Sequence, residues 1–165
     1  IPAVKDGKYR LIIITGNAGD GKTAFIQQLE KSVGNARSLK SKNGARFTIQ
    51  GVPFQSNYDG SQDEEEQEND GVLDEFLRQF AGLSNFLEAR EGRILAINEG
   101  RLIEFLANPA RRKQFGFLYE TIDEYIASEG MYSLPPGLLL VNLNWRSIIF
   151  AQERSIFEKQ LEQLM

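Results

Sequence analysis

Leu11-Ile12-Ile13-Ile14-Thr15-Gly16-Asn17-Ala18-Gly19-Asp20-Gly21-Lys22-Thr23 decides how this chain is read. The aliphatic run predicts a strand buried on both faces. Gly16 to Thr23 follows the pattern G-x-x-x-x-G-K-T, and Thr23-Ala24-Phe25-Ile26-Gln27-Gln28-Leu29 has helical spacing behind it. Strand, glycine-rich loop and helix, in that order, are the setting a phosphate-binding loop requires. Unpaired main-chain N–H groups at a helix N-terminus offer an anion aligned dipoles and hydrogen-bond donors. Gly16, Asn17, Ala18, Gly19, Asp20, Gly21, Lys22, Thr23 and Ala24 are therefore expected to cradle the phosphates of ATP. Lys22 is expected to reach the β- and γ-phosphates, and the Thr23 hydroxyl to join the shell of a Mg2+ ion.

Outward from the loop, the bulk properties bound the problem. The 165 residues are 41% hydrophobic and 25% charged, in the range of a single globular domain. There is no cysteine and no histidine. Disulfides, thiolate metal sites and imidazole catalysis are thereby excluded, so acid–base chemistry falls to carboxylates, lysines and tyrosines. No apolar run is long enough to span a bilayer, and the reading is of a cytoplasmic chain with no membrane partner. The net charge of −4 gives no general attraction to nucleic acid. Lys40, Lys42 and Arg111-Arg112-Lys113 read as solvated surface charge. A chain that begins at Ile1 reads as an excerpt of a longer polypeptide, whose other domains are the expected partners.

Along the chain, a strand is expected over Tyr9 to Thr15 and a helix to Val33. Gly34 to Gly44 reads as a connection, and Ala45 to Gln50 alternates as a second strand. From Gly51 to Asp70 the composition shifts sharply, with Pro53, Asn57, Asp59 and Gly60 ahead of an acidic run. The region contains turn formers at Asn57-Tyr58-Asp59-Gly60-Ser61 and a mobile acidic loop from Asp63 to Asp70. Val72, Leu73, Phe76, Leu77 and Phe80 predict an amphipathic helix, with a short helical stretch at Ser84 to Arg90. A third strand is expected at Arg93 to Ile97, helices over Gly100 to Ala107 and Arg111 to Ser128, and a fourth strand over Leu138 to Val141. A final helix is expected from Asn144 to about Leu164. Buried strands alternating with helices predict a three-layer α/β/α sandwich with a mainly parallel sheet.

The apolar strand Ile94-Leu95-Ala96-Ile97 ends in Asn98-Glu99-Gly100-Arg101. Together with the loop, this resembles the Walker B element of the additional-strand, catalytic-glutamate class of P-loop ATPases, which includes the AAA+ and STAND proteins. The resemblance implies that Glu99 polarises the attacking water and that Asn98 stands at the metal-binding position usually held by aspartate. An amide there lacks the charge that stabilises the ion, so slow hydrolysis is expected unless a carboxylate such as Asp59 compensates. It further implies that the Leu138–Val141 strand lies between the loop strand and the Glu99 strand and ends in a polar sensor, Asn142 or Asn144. Asn144 also suits a helix N-cap. Arg146 and Arg154 are similarly placed to arginines that reach a neighbouring subunit in homo-oligomeric rings. The usual last strand and helical lid do not appear in the sequence. The pattern is similar also to large prokaryotic ATPases of DNA-modification and defence systems.

Rival readings are a P-loop small-molecule kinase, a GTPase and a nucleotide-binding scaffold without turnover. In the kinase reading Arg101, Arg111 and Arg112 clamp phosphate and Asn57 to Asp63 supplies acids. No N-K-x-D motif supports the GTPase, while Asn98 favours the scaffold.

Overall fold

The structure is a computed structural model that describes residues 6–60 and 66–144. The elements are β1 (Tyr9–Thr15), α1 (Lys22–Val33), β2 (Arg37–Ser38), β3 (Ala45–Ile49), β4 (Val52–Asn57) and α2 (Glu66–Leu77). They continue with β5 (Gly92–Ile97), α3 (Glu99–Ala107), α4 (Pro109–Ala127) and β6 (Gly137–Asn142), and single 3-10 turns occupy Arg78–Phe80 and Phe86–Glu88. Among the described residues one six-stranded sheet forms in the order β2-β3-β4-β5-β1-β6. The β4, β5, β1 and β6 strands run parallel, and β2 and β3 are antiparallel additions at one side. This is a mixed α/β protein with a mostly parallel sheet.

Leu11 to Ile14 are fully buried, as strands covered on both faces must be. Their side chains alternate between two cores. Ile12 and Ile14 pack with Ile26 and Leu29 of α1, and with Ile94 and Ala96 of β5. Leu11 and Ile13 face the other way, onto Leu73 and Leu77 of α2, Leu102 and Phe105 of α3, and Leu118 and Ile122 of α4. Each such aliphatic side chain contributes about 1.5–3 kcal/mol on burial, which fixes helices on both faces.

Several expectations are corrected. Val52–Asn57 is a strand, paired to β3 through Phe47↔Phe54 and to β5 through Ser56↔Ile94. Gln50 and Gly51, with φ of 50° and 78°, close a two-residue hairpin turn. Pro53 sits opposite Thr48, next to the turn-closing pair, and pairing with β5 begins only at Phe54, so its missing N–H costs no ladder bond. Residues 66–70 of the acidic run belong to α2, while 61–65 lie outside the described residues. The strand β6 does not lie between β1 and β5. It pairs with β1 on the opposite side, in the register Ile13↔Leu140, while β5 pairs with β1 directly. The final helix, with Arg146 and Arg154, falls outside the described residues. Finally, α4 starts at Pro109 because the Asn108 side chain accepts from Ala110 N at 3.0 Å and proline suits a first helical position.

Candidate functional site

Parallel strands all deliver their C-terminal ends to one edge of a sheet, where crevices form. In this chain β1, β4, β5 and β6 deliver Thr15, Asn57, Ile97 and Asn142 to that edge. The loop of residues 16–21 leaves β1 and enters α1 there. Its last glycine, Gly21, is the helix N-cap in the left-handed region (φ 84°, ψ 18°), and no side chain caps the helix. A helix begun this way leaves its first N–H groups without intrahelical partners. Asn17, Ala18 and Gly19 are exposed, whereas Asp20, Lys22 and Thr23 are half-buried.

The loop is folded on itself. The Lys22 ammonium donates to the Gly16 and Asn17 carbonyl oxygens at 2.9 and 2.7 Å. The Asn17 N–H donates to Asp20 Oδ2 at 2.6 Å and to Asn144 Oδ1 at 3.1 Å. Lys22 makes no salt bridge among the described residues.

From Asn144 a hydrogen-bonded path continues across the edge. Asn144 N donates to Asn142 Oδ1 at 3.0 Å, and the Asn142 amide Nδ2 donates to Glu99 Oε2. Asn142 is buried, and Glu99 is half-buried at the first position of α3, where a carboxylate also suits the helix dipole. Residues distant in sequence (Asn17, Glu99, Asn142 and Asn144) are thereby joined into one network. Both candidates for the polar sensor position belong to it.

Two expected residues are engaged otherwise. Asn98 is exposed, and its Oδ1 accepts from Gly100 N at 2.9 Å, which makes it the N-cap of α3. The Thr23 hydroxyl donates to the Tyr58 carbonyl oxygen at 3.1 Å. Ala24 is exposed on the first turn of α1. Among the described residues no group of three or more acidic side chains could hold a metal ion. Asp59 directly follows Thr23's partner, and its main chain is held by Asn57 Oδ1 and by the Asn43 amide.

The arginines considered as phosphate clamps have other partners. Arg101 and Arg111 both pair with Asp70 of α2, the latter at 2.9 Å, and Arg112 lies over the Tyr119 ring at 4.4 Å.

Sequence reasoning missed the support behind Thr23. Glu30 of α1 is only 6% exposed and accepts from the Ser56 and Tyr58 hydroxyls, both at 2.6 Å. Ser56 Oγ in turn accepts from Ala45 N at 2.8 Å. Burial, then the hydrogen bond to Glu30 and its charge, push the Tyr58 phenol up to about 12. Tyr58 is thus tied to α1 twice, by its carbonyl to Thr23 and by its phenol to Glu30. In the sequence Glu30, Ser56 and Tyr58 are polar residues with no spacing that links them. Thr15 is a second case. It ends β1 between Ile97 and Asn142, is 1% exposed, and its hydroxyl finds no partner among the described residues.

A cleft of about 880 Å³ adjoins this edge, lined by Arg46, Gln55, Asn57, Asp59, Phe76 and Arg93 among others. Among the described residues, no helix is long and apolar enough to cross a membrane. Comparison with protein-family models, curated proteins and solved structures gives no match.

Proposed function

We propose that this chain is a P-loop nucleotide-binding domain that binds ATP with Mg2+ at Gly16–Ala24 and hydrolyses it slowly. The observation that carries the reading is the strand–loop–helix at the C-terminal edge of parallel strands, with Glu99, Asn142 and Asn144 hydrogen-bonded into the same edge. The residues fit the ligand. Lys22, bonded to main-chain oxygens of its own loop, is a half-buried cation whose partners a phosphate can replace. A single hydroxyl from Thr23 suits an ion held mainly by phosphate oxygens and water.

In this reading the loop amides and Lys22 would hold the phosphates, and the Thr23 hydroxyl, which donates to the Tyr58 carbonyl in this structure, would be the chain's ligand to the metal. Bound Mg2+ supplies neutralisation of the charge that builds on the phosphoryl oxygens. Glu99 takes a proton from the attacking water as the bond between the β-phosphate oxygen and the γ-phosphorus breaks, and ADP and phosphate leave. Asn142 holds the Glu99 carboxylate in place. Asn98, committed to capping α3, adds no negative charge, which keeps hydrolysis slow. Nucleotide state is then coupled to conformation in a larger assembly, through the other domains of a longer chain or a homo-oligomer.

Titration calorimetry with Mg–ATP, beside phosphate release, tests this. Saturable uptake that Lys22→Ala weakens about ten- to a hundredfold, with turnover that Glu99→Gln slows by about a hundredfold or more, is the expected result. Failure of the folded protein to take up nucleotide overturns it. A second reading, phosphoryl transfer to a small acceptor, is favoured by the cleft that reaches Asp59, one residue from Thr23's partner. Phosphate release without any added acceptor excludes it. The pairing of Arg101 and Arg111 with Asp70 speaks against those two as its clamps.

A further inference from the structure

The geometry points to a second binding site, for a small molecule bearing an oxyanion group, on the open sheet face between β3 and α2. It goes beyond the nucleotide-binding reading and does not rest on it. Arg37, Arg46, Gln55 and Arg93 stand directly opposite one another across β2, β3, β4 and β5. Side chains in register share a face, so three guanidinium groups and an amide form one row. The other face of these strands carries Phe47 and Phe54, which pack with α1. Like charges directly opposite destabilise a sheet. Among the described residues neither Arg37 nor Arg46 forms a salt bridge that would offset this. Arg46 Nε donates only to the neutral Gln55 Oε1, at 3.2 Å. Arg93 is paired with Glu91 and lies over the Phe76 ring, and its buried Nε has no hydrogen-bond partner among the described residues.

The row runs into the cleft of about 880 Å³, a volume that suits a small molecule. Arg46, Gln55 and Arg93 line it, with Val72 and Phe76 of α2 as a wall. Further along β4, Asn57 also lines the cleft and is only 6% exposed. Its Oδ1 accepts from Asp59 N, while its Nδ2 donates to nothing among the described residues. A nearly buried amide with a spare donor and a guanidinium fork without an anion meet in one concave site. Phosphate and carboxylate oxygens are the groups that satisfy both. Two carboxylates share the lining, but Glu75 is paired with Arg78 at 2.7 Å and Asp59 lies beyond Asn57, away from the row. The one ring in the lining is Phe76, 6% exposed, so the bases of a nucleic-acid strand would find nothing to stack on.

The test is an NMR titration of the nucleotide-free chain with inorganic phosphate and, separately, with acetate. It follows the Arg46 Nε–H, the Asn57 side-chain amide and the loop glycines Gly19 and Gly21. Saturable shifts at Arg46 and Asn57 are expected, and the anion that saturates at the lower concentration identifies the group recognised. Arg46→Gln removes the charge and is expected to weaken that binding about tenfold or more. Asn57→Asp keeps an acceptor for Asp59 N but puts a negative charge where the donor was, and should weaken it at least as much. Lys113→Gln, exposed on α4, should leave it unchanged. Shifts that never saturate, that survive unchanged in either cleft variant, or that Lys113→Gln weakens equally overturn the inference. A single strand of about ten nucleotides that shifts the same resonances at lower concentration than both anions also overturns it, because the row would then serve nucleic acid. Phosphate shifts confined to Gly19 and Gly21 overturn this site and leave the nucleotide-binding reading standing.

Discussion

At the scale of single residues, one charge and one carboxylate carry the chemistry. Among the described residues Lys22 bonds to the neutral carbonyl oxygens of Gly16 and Asn17, so Lys22→Ala strands no charged partner there and should fold normally. Charge-assisted hydrogen bonds contribute about 1.5–3 kcal/mol, so its Mg–ATP affinity is expected to fall by about ten- to a hundredfold in calorimetry. Glu99→Gln keeps the shape and the contact to Asn142 but cannot take a proton. Binding is expected to persist while phosphate release drops by about a hundredfold or more. The Tyr58 phenol supplies a pH signature. Its folded value of about 12 lies above the ordinary 10.0, so the folded state holds the proton more tightly. That contribution is complete below pH 10 and is lost as pH rises from 10 towards 12. Urea midpoints measured across that window should fall less steeply for Tyr58→Phe than for the unmodified chain; parallel curves would refute the assignment. The loop residues were legible in the sequence because a phosphate cradle is made of contiguous backbone. The partners of Thr23, Asn17 and Glu99 were not, because Tyr58, Asn144 and Asn142 arrive from other strands.

At the scale of elements, α2 shows what short-range reading loses. Its acidic start reads in the sequence as a mobile loop, yet Asp70 pairs with Arg101 of α3 and Arg111 of α4, all three side chains less than a quarter exposed. Removing one partner of a half-buried network strands the others. Asp70→Asn is therefore expected to cost about 2 kcal/mol in chemical denaturation, a larger loss than exposed ion pairs give. The pairing of β4 with β5 depends on close approach at Gly92, where a Cβ would lie 2.0 Å from the Phe54 ring. Gly92→Ala should destabilise by about 1–3 kcal/mol through overpacking, read from the same denaturation curves. The strand β4 itself escaped sequence reading because its buried positions Ser56 and Asn57 are polar and lack the apolar alternation of a strand. Their burial is made tolerable by a hydrogen bond to Glu30 in the case of Ser56, and by one to the following main chain at Asp59 in the case of Asn57. Apolar β1, β5 and β6 posed no such difficulty.

At the scale of the whole molecule, ligand binding and stability are linked. Mg–ATP at about one hundred times its dissociation constant should stabilise the fold by about 2.7 kcal/mol and raise the melting temperature. Glu99→Gln should keep that shift and Lys22→Ala, at the same ligand concentration, should lose about half of it or more; a shift of equal size in Lys22→Ala would place the nucleotide elsewhere. The amino-acid sequence alone determined the alternation of strand and helix, the buried parallel strands and the loop with its lysine and threonine. Each of these depends on periodicity or on backbone geometry within a few neighbouring residues. Only the tertiary structure decided that β5 lies directly beside β1 with β6 on the far side, contrary to the order the resemblance implied. It alone joined Glu99 to Asn142 and Asn17 to Asn144. Strand order is chosen by which pairings bury both sheet faces across the whole chain, and several orders satisfy the same local pattern. Contacts across 43 and 127 residues follow from that choice and leave no periodic trace along the chain.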